Sequence, residues 1–315
     1  MIIPPDLRPS NGPTGITWDD PPCPLCGGDR RSPVLEAADP APGGSGLRFA
    51  VVRCGECGLQ FTSPRPDRAT IGRFYPHAYR PHHRVRVKDR HCRRGRLAVL
   101  FGRVAERRGL SWHGRGRLLD FGCGGGAFLA RMHHQGWTVT GIDASRETAA
   151  RASAAVGVPV IVGTLPHPDL APGSFDIVTM WGSLEHVHDP LTVLTAARDL
   201  LTPGGRLLVA VPNIDSTPFR WFGPAWFGLD LPRHLTHFTP QTLRRMLERA
   251  GFRVTKLQPI RHVEWLRSSA RLAVRYSRPQ FWQRALTRKP LAKLAAWGCY
   301  LAGGADSLMA AAEAV

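Results

Sequence analysis

The sequence predicts an α/β fold in which a doubly wound, mostly parallel sheet follows a small cysteine-rich module. From residue 117 onward, apolar strand-like segments alternate with helix-like segments, which is typical of a parallel sheet covered on both faces. A glycine-rich turn joins the first of these strands to the first helix. Upstream, two Cys-x-x-Cys pairs are separated by 27 residues.

The composition is that of a folded protein with an uneven positive charge. Of 315 residues, 43% are hydrophobic and 21% charged, which excludes general disorder. The net charge of +18 is concentrated in two stretches: 13 Lys/Arg oppose two acidic residues over 77–117, and nine oppose one over 261–293. Each stretch suits phosphates or an anionic membrane, or is simply a solvated face.

The chain divides by composition into four parts. Residues 1–22 form a Pro-rich flexible arm, 23–66 contain the cysteine pairs, 67–116 form a basic helical connector, and 117–315 form the α/β domain, with a helical insertion at about 262–303. The N-terminus has no basic segment followed by an apolar run, so we expect a cytoplasmic protein, with a peripheral position at the inner membrane face as the alternative.

The predicted elements follow in chain order. Strands are expected at Phe49–Arg53, Leu59–Phe61, Arg117–Phe121, Thr138–Asp143, Val158–Val162, Phe175–Met180, Arg206–Val211 and Arg253–Pro259, and a final strand at Ser307–Ala312. Helices are expected at Gly126–His134, Arg146–Val156, Pro190–Leu201 and Pro240–Ala250.

The cysteine pairs predict a structural zinc site. A Cys-x-x-Cys turn lets two thiolates converge on one ion, and a glycine follows each pair. The predicted ligands are Cys23, Cys26, Cys54 and Cys57. Four unrelated thiols or a redox pair are the alternatives. We expect this ribbon to fold independently of the α/β domain, and we assign no chemistry to Cys92, Cys123 or Cys299.

The glycine turn LLDFGCGGGAFL is the main functional signal. Asp120 precedes Gly122, Gly124 and Gly126, and a second strand ends about 20 residues later at Asp143, where a carboxylate can bind ribose hydroxyls. A dinucleotide site is the alternative. The Gly-x-Gly-x-Gly spacing and the preceding acid favour S-adenosylmethionine, a cation without a pyrophosphate.

These segments carry a family resemblance. LLDFGCGGGAFL, GID, SFDIVTMWGSLEHVHDP, LLTPGGRLLVAVPN and DLPRHLTHFTPQTLRRMLERAGF resemble the motifs of class I S-adenosylmethionine-dependent methyltransferases of the small-molecule type, which have a Rossmann-like fold. RCGECGLQFTSPRP is similar to methyltransferases with a zinc-ribbon preface, including some that act on nucleotide-linked deoxysugars. The resemblance implies a cofactor site formed by Asp120, Gly122, Gly124, Gly126, Asp143, Thr164 and Trp181. The sequence departs from the family at Thr164, where an acidic residue usually lies near the adenine.

The candidate catalytic residues are His186, Glu185, His234 and His237. Methyl transfer is an in-line displacement, and a base is needed only if the acceptor must lose a proton. A structural role for these histidines is the alternative. Nearby Trp221, Trp226 and Phe227 form either the roof of an acceptor pocket or part of the core.

The sequence therefore predicts methyl transfer to a small-molecule acceptor such as a sugar, a lipid-linked compound or a secondary metabolite. An RNA methyltransferase and a non-catalytic zinc-ribbon binding module are the alternatives. The motif Asn/Asp-Pro-Pro-aromatic, typical of amino-methylases, is absent. At the C-terminal end, Arg267, Arg271, Arg275 and Arg278 recur at helical spacing, which predicts either an interfacial helix on anionic lipid or a soluble cap.

Overall fold

The computed structural model describes residues 15–41, 45–75, 116–276 and 278–315. Most of the predicted arm, most of the basic connector and Cys92 lie outside these residues. The first basic stretch, 77–117, lies outside them except at its last two positions.

A seven-stranded sheet forms the centre of the α/β domain. Its strands are β6 (Arg117–Phe121), β7 (Thr138–Asp143), β8 (Val160–Val162), β9 (Phe175–Trp181), β10 (Leu201–Pro212), β12 (Phe252–Ile260) and β13 (Ser307–Ala314). The order is β12-β13-β10-β9-β6-β7-β8, and β13 runs antiparallel to both neighbours. The other neighbouring pairs are parallel. The predicted mostly parallel sheet is confirmed.

Helices cover both faces of this sheet. They are α1 (Ala127–His134), α2 (Arg146–Val156), α3 (Pro190–Asp199) and α5 (Pro240–Arg249), whereas α4 (Thr217–Phe222), which follows β10, packs in a separate buried cluster. Side-chain oxygens of Ser145, Asp189, Ser216 and Thr239 cap the starts of α2, α3, α4 and α5, because each accepts from a backbone N–H in the first turn. On β6, Leu118 and Leu119 enter different buried clusters, as alternating side chains of a strand covered on both sides must.

The N-terminal module forms a small antiparallel sheet that the α/β domain completes. The sheet has the order β11-β4-β3-β2, with β2 at Arg31–Ala38, β3 at Arg48–Cys54, β4 at Gln60–Thr62 and β11 at Thr236–His237. A separate pair joins β1 (Trp18–Asp19) to β5 (Arg65–Pro66). Because β11 comes from the later part of the chain, the expected independence of the ribbon is replaced by a shared sheet and a shared core. The domain limits themselves remain a prediction.

Three helices lie between β12 and β13. They are α6 (Val263–Tyr276), α7 (Phe281–Ala285) and α8 (Lys289–Leu301). Leu266, Ala270, Ala292 and Ala296 pack α6 and α8 into a second buried cluster, which also contains Trp226 and the N-terminal Phe49. Arg278 lies beyond the end of α6, so the predicted four-arginine face is wrong at that position. In the part of the chain that the structure describes, no helix is both long enough and apolar enough to cross a membrane.

Candidate functional site

The glycine turn has a backbone conformation that is unfavourable for residues with a Cβ. Gly122, Gly124 and Gly126 have φ values of +68°, +54° and +75°. The backbone N–H groups of Gly122 and Cys123 both donate to the carbonyl of Ile142, at 2.8 and 3.2 Å. These bonds fix the turn against the end of β7.

Asp143 joins the end of β7 to this turn. Its Oδ2 accepts from the Gly124 N–H at 3.0 Å, and its Oδ1 accepts from the Ser145 N–H at 2.9 Å. Each carboxylate oxygen keeps a further lone pair. The side chain is thereby oriented at the carboxyl edge of the sheet with capacity to accept from ribose hydroxyls, so it fits the predicted cofactor.

Asp120 is placed differently from the other cofactor candidates. Its buried side chain accepts from Thr179 Oγ1 at 2.7 Å. Burial, with a smaller contribution from the negative charge of Asp143, raises the pKa of Asp120 to about 7. The carboxyl group is thus bonded within the sheet, and a direct contact of Asp120 with the cofactor stays a prediction.

Two further predicted contacts lie at the same edge. Trp181 ends β9, and its ring packs edge-on against Phe128 with the centroids 5.4 Å apart. Thr164 is exposed shortly after β8. The carboxyl ends of parallel strands lie along one edge of a sheet. Both residues therefore lie at the same edge as the glycine turn.

Three of the predicted catalytic residues come together beside this edge. Glu185 and His186 form a short 3-10 turn after β9, and His234 belongs to the loop before β11. The rings of His186 and His234 are nearly perpendicular, with centroids 4.6 Å apart. Ser183, which starts the turn, donates to the carbonyl of Phe121 at 2.9 Å and so connects this cluster to the glycine turn.

Backbone carbonyls fix the orientation of both histidines. His186 Nδ1 lies 3.0 Å from the Arg233 carbonyl oxygen, and His234 Nδ1 lies 2.8 Å from the Gly228 carbonyl oxygen. A carbonyl only accepts, so Nδ1–H donates in each case and a neutral ring keeps its lone pair on Nε2. His234 Nε2 is 4.0 Å from Glu185 Oε1 and 4.0 Å from Asp230 Oδ2.

Burial controls the protonation of the cluster. It lowers the pKa of His186 to about 3 and that of His234 to about 4, because the charged imidazolium is poorly solvated. It raises the pKa of Glu185 to about 8, with the nearby Asp230 charge adding to the effect. Both imidazoles are therefore neutral at pH 7 and act as acceptors through Nε2.

His237 lies apart from the other three. Thr62 Oγ1 donates its proton to the His234 carbonyl at 2.7 Å, so His237 Nε2–H donates to Thr62 Oγ1 at 3.1 Å. Its pKa falls to about 3 through burial. The structure thus places His237 where β11 joins the ribbon strand β4, and a catalytic role for it stays a prediction.

Four residues of the site escaped the sequence reasoning. Tyr75 places its hydroxyl 2.9 Å from His186 Nδ1. Arg233 donates to Asp39 Oδ1 at 2.9 Å and to Asp230 Oδ1 at 2.7 Å. Asp230 and Arg233 lie in the motif DLPRHLTHF, so that motif carried a usable signal. No local pattern marks Tyr75 or Asp39.

The three aromatic residues divide between core and surface. Trp226 is fully buried in the second cluster and packs edge-on against Phe219, as in the core interpretation. Trp221 packs against Trp282. The third, Phe227, is partly exposed and packs against a tryptophan of α6.

The four predicted zinc ligands converge. Their sulfur atoms all lie within 4.8 Å of one another, with Cys23 Sγ 3.4 Å from Cys57 Sγ and Cys26 Sγ 3.5 Å from Cys54 Sγ. Thiolates around tetrahedral Zn²⁺ at about 2.3 Å lie roughly 3.8 Å apart, so the set fits this ion with small adjustments. Four sulfurs would leave an ion no open coordination position, which suits a structural rather than a catalytic role.

Comparisons with known proteins find a matching family model and curated relatives. A family model described as a methyltransferase domain matches residues 90–257. Ubiquinone biosynthesis O-methyltransferase of Xanthomonas euvesicatoria is 35% identical over 171 residues, which are 50% of this chain and 71% of that protein. The protein of the same name from Aeromonas salmonicida is 34% identical over 158 residues, 46% of this chain and 66% of its own.

Among solved structures, an S-adenosylmethionine-dependent methyltransferase from Mesorhizobium loti has a TM-score of 0.47 at 23% identity. That match covers 67% of this chain and 96% of that one.

Proposed function

Since the chain belongs to the class I S-adenosylmethionine-dependent methyltransferases and transfers methyl groups to a small molecule, we propose that its acceptor atom is a hydroxyl oxygen. We place that oxygen beside Glu185, His186 and His234. The observation that carries this proposal is the attachment of this cluster to the glycine turn through Ser183 and Phe121. The relatives named as O-methyltransferases support an oxygen acceptor.

The cofactor is held by the carboxyl edge of the sheet. Asp143 accepts hydrogen bonds from the ribose hydroxyls. The turn of Gly122, Gly124 and Gly126 has no side chains to block the close approach of the methionine part. Trp181 and Thr164 lie beside the adenine. When bound, S-adenosylmethionine supplies an electrophilic methyl group on a positively charged sulfur.

The cluster provides what the acceptor needs. Most of the rate advantage in such a displacement comes from holding donor and acceptor aligned, and a hydroxyl must also lose its proton. The Nε2 lone pair of the neutral His234 ring accepts that proton, since His234 Nδ1–H already donates to the Gly228 carbonyl. The new bond joins the acceptor oxygen to the methyl carbon, and the old carbon–sulfur bond leaves its electron pair on sulfur.

A pair of histidine variants tests the hydroxyl proposal. We expect His234→Gln to lower the rate of methyl transfer by about 10²- to 10⁴-fold while S-adenosylmethionine still binds. His188→Gln is the matched control, because His188 Nε2–H donates to the Pro66 carbonyl at 3.0 Å outside the cluster. Equal rates for both variants would exclude the cluster as the acceptor site.

The cysteine set is proposed to hold one structural Zn²⁺. The convergence of the four sulfurs supports it, and the glycines Gly27 and Gly58, with φ of +79° and +78°, let each turn close on its thiolates. Elemental analysis of protein produced with zinc available tests it, and absence of zinc contradicts it.

A peripheral contact with anionic lipid is proposed for helices α7 and α8. Phe281, Leu294 and Leu301 are 88%, 73% and 77% exposed, which is unusual for large apolar side chains. Arg284, Arg288, Lys289 and Lys293 are exposed around them, and none has an ion-pair partner within residues 278–315 or the other described ranges. Apolar side chains ringed by basic ones favour the surface of an anionic bilayer.

Vesicle co-sedimentation tests this contact. We expect binding to vesicles containing phosphatidylglycerol and weaker binding for Lys293→Gln or Leu294→Gln. Arg249→Gln, an exposed residue of α5, removes the same charge elsewhere and should bind normally. Equal recovery with neutral and anionic vesicles supports the soluble cap instead. The first basic stretch, 77–117, with which an RNA methyltransferase would hold phosphates, lies almost wholly outside the described residues.

A further inference from the structure

The segment that carries His234 is bonded to the N-terminal module through one residue, Thr62. Thr62 is the last residue of β4 and is fully buried. Its backbone N–H donates to the Leu235 carbonyl at 3.0 Å, and its Oγ1 donates to the His234 carbonyl at 2.7 Å. Two successive carbonyls of the loop therefore bond to a single residue that precedes His234 by 172 positions.

The hydroxyl group of Thr62 supplies a donor that the backbone of the same chain segment does not offer at this point. After Thr62, the Ser63 N–H donates to the Ala50 carbonyl at 3.1 Å, and Pro64 has no N–H. The backbone beyond β4 is therefore not available to the His234 carbonyl. The Thr62 hydroxyl bonds that carbonyl instead.

The hydroxyl group is itself oriented by a second hydrogen bond. Its one proton is used on the His234 carbonyl, so its oxygen accepts from His237 Nε2–H at 3.1 Å. His237 is buried and belongs to β11, which pairs with β4. His237 therefore holds the Thr62 side chain in the rotamer that reaches His234.

The other side of the same loop is attached to the Glu185–His186 turn. The Leu235 N–H donates to the Glu185 carbonyl at 2.7 Å, and the His234 N–H donates to the Asp230 carbonyl at 3.1 Å. The His234 segment therefore lies between β4 and the turn after β9. If the segment moved away from β4, the His234 ring would move relative to the His186 ring and to the carboxyl edge of the sheet.

We propose that Thr62 is a positioning residue for methyl transfer, which acts through its hydrogen bond to the His234 carbonyl and sets the place of the His234 ring beside the acceptor. Strand β4 is a firm support, because Phe61 is fully buried in the cluster that also contains residues of the seven-stranded sheet. This inference rests on the proposed function, in which His234 Nε2 accepts the proton of the hydroxyl. A misplacement of about 1 Å can lower a rate roughly 100-fold, so a bond that fixes this ring matters.

Variants at Thr62 separate the hydroxyl group from the bulk of the side chain. Thr62→Val has nearly the same shape without the hydroxyl. We expect it to lower the initial rate of label transfer from S-adenosylmethionine to a small-molecule fraction of bacterial lysate by about 10- to 100-fold at saturating cofactor. The KM and the calorimetric affinity for the cofactor should not change. Thr62→Ser keeps the hydroxyl and should transfer at nearly the wild-type rate. Thr255→Val is the matched control, since Thr255 Oγ1 donates to the Ala311 carbonyl at 3.1 Å on the edge strand β12.

A double-mutant cycle shows whether Thr62 acts through His234. In protein that already carries His234→Gln, Thr62→Val should lower the rate by less than about twofold, because the ring that it positions is gone. Losses that multiply, or a Thr62→Val variant as active as Thr255→Val, would overturn the positioning role and leave the proposed function intact. Normal transfer by His234→Gln alone would contradict the proposed function, and the positioning role with it.

Amide hydrogen exchange gives a readout that does not depend on activity. In the unmodified protein, the amides of residues 234–237 should exchange as slowly as those of β4, and fast exchange there beside slow exchange in β4 would overturn the proposal. In Thr62→Val these amides should exchange about tenfold faster, since a buried hydrogen bond is lost. Equal exchange in Thr62→Val and Thr255→Val would overturn it as well.

Discussion

Arg233 donates a hydrogen bond from Nη2 to Oδ1 of Asp39 at 2.9 Å, and both side chains are buried. Asp39 follows β2 of the N-terminal module, while Arg233 directly precedes His234. The pair therefore links the ribbon to the loop that carries the cluster. Arg233 also donates to the Phe74 carbonyl at 2.7 Å, next to Tyr75. The N-terminal module is part of the site rather than a separate attachment.

Removing one member of this buried pair should destabilise the whole chain. We expect Asp39→Asn to lower the free energy of unfolding by about 2–4 kcal/mol, because the Arg233 charge stays buried with fewer partners. Asp215→Asn is the control, since its pair with Arg220 is exposed and should contribute less than about 1 kcal/mol. Urea unfolding measures both, and equal losses would contradict the link.

Asp143 should govern cofactor affinity. We expect Asp143→Ala to weaken S-adenosylmethionine binding by about 1–3 kcal/mol, because charge-assisted hydrogen bonds to the ribose and the bond from the Gly124 N–H are both lost. Calorimetry measures the affinity. Asp169→Ala, at an exposed carboxylate, is the control and should bind normally. Unchanged affinity in the Asp143 variant would place the ribose elsewhere.

A pair of glycine variants separates backbone strain from crowding. A Cβ on Gly122 would lie 2.5 Å from Ser183 Cβ, whereas a Cβ on Gly173 has nothing within 4 Å. Their φ values are similar, +68° and +64°. In Gly173→Ala, backbone strain alone should lower the free energy of unfolding, by about 1–2 kcal/mol, and the cofactor should still bind. Gly122→Ala should lose more stability and abolish binding. Normal binding by the Gly122 variant would refute the close packing.

The pKa of His237 predicts an acid-dependent loss of stability. Its folded-state pKa of about 3 lies below the ordinary 6.5. The neutral ring therefore contributes its full share to the free energy of unfolding above pH 6.5, and this contribution declines as the pH falls toward 3. Between pH 7 and 5, the wild type should lose about 2 kcal/mol through this residue. His237→Gln removes this loss, so its urea midpoint should fall less over that interval. If the urea midpoints of the wild type and the variant fall equally between pH 7 and 5, His237 is not buried as a neutral ring.

Much of the central sheet could be predicted because its signals are local. The structure has β6, β7 and α2 with the predicted limits, since an apolar strand, a glycine turn and a capped amphipathic helix adjoin in the sequence. Strand β2 was missed because Pro33 and a polar pattern obscure it. The two-residue strand β11 exists only through its pairing with β4.

The candidate site was predictable only where its residues share a motif. Glu185 and His186 lie in one segment and His234 in another, and both segments carried the family resemblance. Tyr75 and Asp39 approach them through tertiary packing across more than a hundred residues of chain. No periodicity or spacing reports such a contact.

Transfer of a labelled methyl group tests the central claim most directly. The purified protein is incubated with methyl-labelled S-adenosylmethionine and separate small-molecule, lipid, RNA and protein fractions of a bacterial lysate. The account predicts label in the small-molecule or lipid fraction, attached to oxygen as an ether, and no transfer by Asp143→Ala at limiting cofactor. Label confined to RNA or protein, or no transfer at all by protein that binds the cofactor, would contradict it.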